Sequence, residues 1–126
     1  MVLRTLDARR ADALEALCEL LVPGSGRVGP VVYIDAVLTA MPPDIRTGAL
    51  DAIDALAPAA EGGAEALAER ERTPEFGFVR ALAVEAFYSD FVAPGKDGPG
   101  AWSEIDFNSP LALRLQKDWS YLGISG

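Results

Sequence analysis

Three carboxylates stand in strongly apolar surroundings in this chain: Asp35, Glu85 and Asp90. Two such groups held in different environments are what general acid–base catalysis requires. Single carboxylates of this kind more often cap backbone or face solvent, and nothing around these three supplies the rest of a catalytic set. The chain contains no histidine. That removes Ser-His-Asp and Cys-His nucleophiles and imidazole metal sites together. The single cysteine, Cys18, recurs at helical spacing with Leu14, Leu17 and Leu21 and has no basic neighbour to activate it, so it reads as a buried structural thiol. With one cysteine there is no disulfide within the chain. The glycines between Gly24 and Gly29 lack both a preceding strand and the lysine of a phosphate loop, and Asp97-Gly98 lacks calcium-loop spacing. The expectation is a chain with no catalytic, cofactor-binding or metal-ligating residue of its own, and not an enzyme by itself.

The elements that would position these residues are marked by proline and glycine. Asp7 suits an N-cap for a helix carrying Leu14, Leu17, Cys18 and Leu21, stopped by Pro23-Gly24, and 23–30 reads as a loop. Pro30 suits the first turn of a second helix with the stripe Ile34, Val37, Leu38 and Met41. Pro42-Pro43 opens a third, with inner face Ile45, Ala49, Ile53 and Leu56, closed by Pro58. A weak segment follows over 60–72, delayed by Gly62-Gly63 and carrying one large apolar residue, Leu67, which suggests a short exposed helix. Thr73 and Pro74 then open a helix with the strongest apolar face of the chain: Phe78, Val79, Leu82, Ala86 and Phe87. The predicted fold is all-α: one domain over 1–126, with a bundle of about five helices over 7–88 and a long irregular tail over 89–126.

The formal net charge of −8 argues against nucleic acid or an anionic membrane as a partner, since either needs a basic surface. No apolar run approaches a membrane span. Of the ten aromatic residues, Tyr33 alone precedes Phe76. The tail holds Phe91, Trp102, Phe107, Trp119 and Tyr121, with Leu111, Leu113 and Leu115 among them. Rings in a segment without helical period need a place to be buried. Either the tail folds on its own helices or it docks on another chain, where Trp and Tyr are favoured at interface centres. With Tyr88 at their head, these residues make up the candidate partner interface.

Three stretches in order carry a resemblance: LEALCELLVPGSGRVGPVVYIDAVL over 14–38, FVRALAVEAFYSD over 78–90, and a glycine-rich segment leading to Trp102. Over residues 10 to 105 this order resembles the gluconate 2-dehydrogenase subunit 3 family, with Pro23, Tyr33, Ile34, Asp35, Leu38, Phe87, Tyr88, Ser89, Asp90 and Trp102 as matching positions. The resemblance implies a small non-catalytic subunit bound to a large FAD-binding oxidoreductase of the glucose-methanol-choline type. That partner would oxidise a sugar, glycoside or other alcohol and carry the FAD. The small subunit would assist that partner's folding, flavin retention or export; on our own reading it stabilises the partner by binding, and its aromatic tail borders the substrate entrance. Many relatives carry a twin-arginine export signal. Here Arg9-Arg10 is followed by Ala-Asp-Ala-Leu-Glu, where such a signal needs an uncharged apolar stretch, so a cytoplasmic complex is expected. The C-terminal IDFNSPLALRLQKDWSYLGISG also departs from the family's usual ending. The rival reading is a stand-alone helical adaptor or chaperone without a redox partner.

Overall fold

A computed structural model of the chain describes residues 3–89, 91–94 and 96. The described part is all-α, four helices and one 3₁₀ turn with no strand among the described residues. Helix α1 spans Ala8–Leu21, α2 Pro30–Ala40, α3 Pro43–Ala68 and α4 Pro74–Tyr88. The expected caps are in place. The Asp7 carboxylate accepts from the Arg10 amide at 2.8 Å, and the Thr73 hydroxyl accepts from the Phe76 amide at 3.2 Å, each satisfying a donor the first helical turn leaves open.

Helix α2 is the centre of the bundle. Tyr33, Ile34, Asp35 and Ala36 are buried in succession, so the helix is covered on every side rather than on one stripe. Its C-terminal carbonyls are held by Arg46 at the start of α3. The Arg46 guanidinium donates to the carbonyls of Leu38, Thr39 and Met41 at 2.8–2.9 Å. Helices α1 and α4 both pack on α3, and α2 lies against α4. Leu14, Leu17, Cys18, Ile34, Leu38, Ile53, Leu56 and Val79 are all within 2 % of full burial and form the core.

Four sequence expectations change. Residues 23–30 are more than a loop: Ser25–Val28 form a 3₁₀ turn whose Ser25 and Val28 are fully buried. Pro58 does not close the third helix. The apolar period Ala49, Ala52, Ile53, Leu56, Ala59 runs through it, and the exposed proline ring sits on the outer side. The continued burial of Leu56 and Ala59 offsets the hydrogen bond that Pro58 cannot return to the carbonyl of Asp54. The break comes instead at Gly63, with φ 80° and ψ −164°, a conformation essentially confined to glycine. The segment beyond it is anchored by Leu67, which is 4 % exposed. Finally, Ile45 is 50 % exposed rather than part of an inner face.

The start of the tail belongs to the core. Phe91 is fully buried, its ring 5.4 Å from that of Tyr33 at 57°. The Ala93 amide donates to the Val28 carbonyl at 2.8 Å. A side chain on Gly29, which has φ 67°, would meet the Ala93 methyl at 2.6 Å. Glycine at this position permits both the left-handed turn and the close approach of the chain returning from α4.

Candidate functional surface

The carboxylates singled out for chemistry are occupied structurally. Asp35 is 3 % exposed. Its Oδ2 accepts from the Arg4 amide at 2.9 Å, and its Oδ1 from the amides of Thr5 and Leu6 at 2.9 and 2.8 Å. The hydroxyls of Thr5 and Thr39 meet beside it at 2.7 Å. Asp35 thus clasps the segment before α1 onto the central helix, and its oxygens point at backbone donors rather than at a cavity. Glu85 is exposed and accepts from the Tyr33 hydroxyl at 3.2 Å. Asp90 lies outside the described residues.

Cys18 is fully buried, and burial pushes its thiol up to about 12, with Glu15 and Glu19 adding to the shift. At neutral pH almost none of it is thiolate, the form that reacts. The amides of the glycine loop, the donors a phosphate would use, are engaged by this chain itself. Glu19 accepts from Gly24 at 2.7 Å and from Gly26 at 3.0 Å. Among the described residues no group of three or more His, Cys, Asp or Glu is placed to hold a metal ion, and no helix is long and apolar enough to cross a membrane.

Two of the nine interface candidates lie among the described residues. Phe91 is withdrawn from the candidate surface, since it fills this chain's own core against Tyr33. Tyr88 is 47 % exposed. Trp102, Phe107, Leu111, Leu113, Leu115, Trp119 and Tyr121 lie outside the described residues. The structure adds a residue that sequence reasoning placed inside: Phe78 is 37 % exposed. Pro74, Gly77, Phe78, Ala81, Glu85 and Tyr88 are all exposed and fall on one side of α4, at the three- and four-residue steps that define a helix face. Along that face Phe78 and Tyr88 bracket Ala81 and Glu85, and Gly77 and Pro74 precede Phe78. Its single charge, Glu85, is held by Tyr33.

A second feature lies between α1 and α3. Arg10 makes a two-pronged contact with Asp54, Nε to Oδ1 at 2.9 Å and the terminal nitrogen to Oδ2 at 2.8 Å, and Arg9 stands 3.8 Å from the same carboxylate. The Arg10 hydrogen bond holds Asp54 below the usual carboxylate range, and Asp54 in turn raises Arg10. The arginine pair that superficially suggests an export signal is therefore placed in the first turn of α1, beside α3. Next to this contact is an open trough of about 530 Å³, walled by Arg9, Asp12, Ala13 and Ala16 on one side and Asp54, Ala57, Pro58, Ala60 and Glu61 on the other.

No family model, curated protein or solved structure matches the chain. The functional reading therefore rests on these surfaces and on the motif order in the sequence.

Proposed function

We propose that this chain is a non-catalytic small subunit of a heteromeric FAD-dependent oxidoreductase acting on a sugar, glycoside or other alcohol, with the FAD in the large partner subunit. The complex would be cytoplasmic. Two lines support the reading. One is the motif order running from Pro23 through Tyr33–Leu38 and Phe87–Asp90 to Trp102, which resembles gluconate 2-dehydrogenase subunit 3. The observation that carries it is the exposed face of α4, where Phe78 and Tyr88 stand on either side of Ala81 and Glu85, with Gly77 beside Phe78. Exposed aromatics around small residues suit close approach of another chain, since large rings supply hot-spot area and small residues let backbones near one another.

The action on this reading is mass action. A subunit that binds only the folded partner stabilises it by about 2.7 kcal/mol when present at a hundredfold excess over its Kd. Whatever flavin the folded partner holds is retained in proportion. Tagged full-length chain, expressed with the reading frames beside its gene, should bring down one large protein with a flavin absorption spectrum. Phe78→Ala/Tyr88→Ala should release that protein while leaving the helical content of the chain unchanged. A large partner without flavin, or no stable partner, would favour the adaptor or chaperone reading.

A further inference from the structure

The trough between α1 and α3 is floored by the alanines of both helices and rimmed by charged side chains. Ala13 and Ala16 face Ala57 and Ala60 across it, and the carboxylates of Asp12 and Glu61 stand on its two sides. Its residues step along each helix at three- and four-residue intervals: Arg9, Asp12, Ala13, Ala16 on α1 and Asp54, Ala57, Pro58, Glu61 on α3. That spacing makes two parallel ridges with a groove between them, the arrangement into which a third helix packs. We infer that this trough is a second docking surface, distinct from the α4 face, and that its occupant is a partner helix carrying an apolar ridge flanked on both sides by lysine or arginine.

The occupant follows from shape and charge. Four alanine methyls leave about 530 Å³ open, room for large aliphatic side chains. A helix in a groove delivers these at i, i+3, i+4 and i+7. A peptide that binds by adding a strand needs a sheet edge, and the described residues offer none. Asp54 is engaged by Arg10 and Arg9, whereas Asp12 and Glu61 are exposed, one on each side. Cations flanking the ridge would meet them, and an acidic helix would be repelled. A second copy of this chain is disfavoured for the same reason, since each carries a net charge of −8.

The test uses the full chain and three synthetic peptides: an amphipathic leucine–lysine helix, the same peptide with glutamate for lysine, and a scramble of the lysine peptide with its leucines dispersed. Affinity is read by fluorescence anisotropy and location by the methyl resonances of the alanines. The lysine helix should bind and shift Ala13, Ala16, Ala57 and Ala60, with affinity about tenfold above the scramble. The glutamate helix should not bind. Ala13→Leu/Ala57→Leu, which fills the trough, should lower affinity about tenfold. Asp12→Lys/Glu61→Lys, which alters only exposed positions, should do so even if the filled variant folds poorly. Equal binding of helix and scramble would mean unspecific charge attraction and overturn the inference. So would methyl shifts lying outside the trough, or unchanged affinity in the charge-reversed variant. None of these outcomes depends on the α4 face or on the identity of a flavoprotein.

Discussion

Asp35 illustrates how a residue that looks chemical in sequence becomes architectural in the fold. Its two oxygens divide three backbone donors between them, one on Oδ2 and two on Oδ1. Asp35→Asn can keep an acceptor toward Thr5 and Leu6 only by turning its amide nitrogen toward the Arg4 amide, donor against donor. A loss of about 1–2 kcal/mol is expected. Asp35→Ala strands all the amides and should cost about 3 kcal/mol or more, read by denaturant unfolding. If both variants unfold as wild type does, the clasp contributes nothing. Cys18 should resist thiol reagents in the native chain and label only on unfolding, since burial holds its thiol at about 12. Asp54 sets a pH dependence. Its carboxyl is held below its unfolded value by Arg10, so its contribution is fully present above the unfolded aspartate value of about 3.9 and disappears as pH falls through the lower folded value. The gap in unfolding free energy between wild type and Asp54→Asn, measured from neutral pH downward, should close only in that acid range. The partly exposed pair is worth about 1 kcal/mol.

At the scale of elements, the helix starts were legible because their signals are local. Asp7, Pro30, Pro43 and Thr73-Pro74 act on the turn they begin. The helix faces were less legible. Ile45 and Phe78 lie on the apolar stripes by type but are exposed, while in α3 Ala49, Ile53 and Leu56 are buried as their spacing indicates and Ala52 and Ala59 add buried positions too small to mark a stripe. Pro58 misled because a proline ends an isolated helix, yet here tertiary burial on both sides outweighs its local cost. Gly63 then carries the break, and its φ of 80° and ψ of −164° predict that Gly63→Ala loses about 1–3 kcal/mol from backbone strain alone. No neighbour stands within 4 Å of the new methyl. Gly29→Ala should be worse, because the added carbon meets Ala93 as well as the left-handed backbone. Thermal unfolding of the two variants orders them.

For the molecule as a whole, the boundary between body and tail falls later than the helical pattern indicates. Phe91 sits in a segment without period, and its partner Tyr33 is far away in sequence, so no local signal reveals its burial. Phe91→Ala should cost about 3–5 kcal/mol, whereas Tyr88→Ala, half-exposed on α4 with its ring edge-on to Phe87, should cost clearly less and act on partner binding. A truncation meant to remove the tail while sparing the core must end beyond Ala93, and one ending at Tyr88 should lower stability by an amount comparable with Phe91→Ala. The candidate interface was legible only as a composition bias toward aromatics. Which of them face outward depends on the packing of α2 against α4.

The clasp at Asp35 has a mechanical side. Residues 4–6 belong to no helix, yet their amides are tied to α2, the most deeply covered element. A pull on the leading end of the chain would be borne by α2 before α1 could be peeled from its end, so α1 is shielded by the very segment that precedes it. The same tie should appear at rest in deuterium uptake. The amides of Thr5 and Leu6 should exchange on the timescale of α2 rather than of a chain end, and Asp35→Ala should bring them to the rate of free peptide.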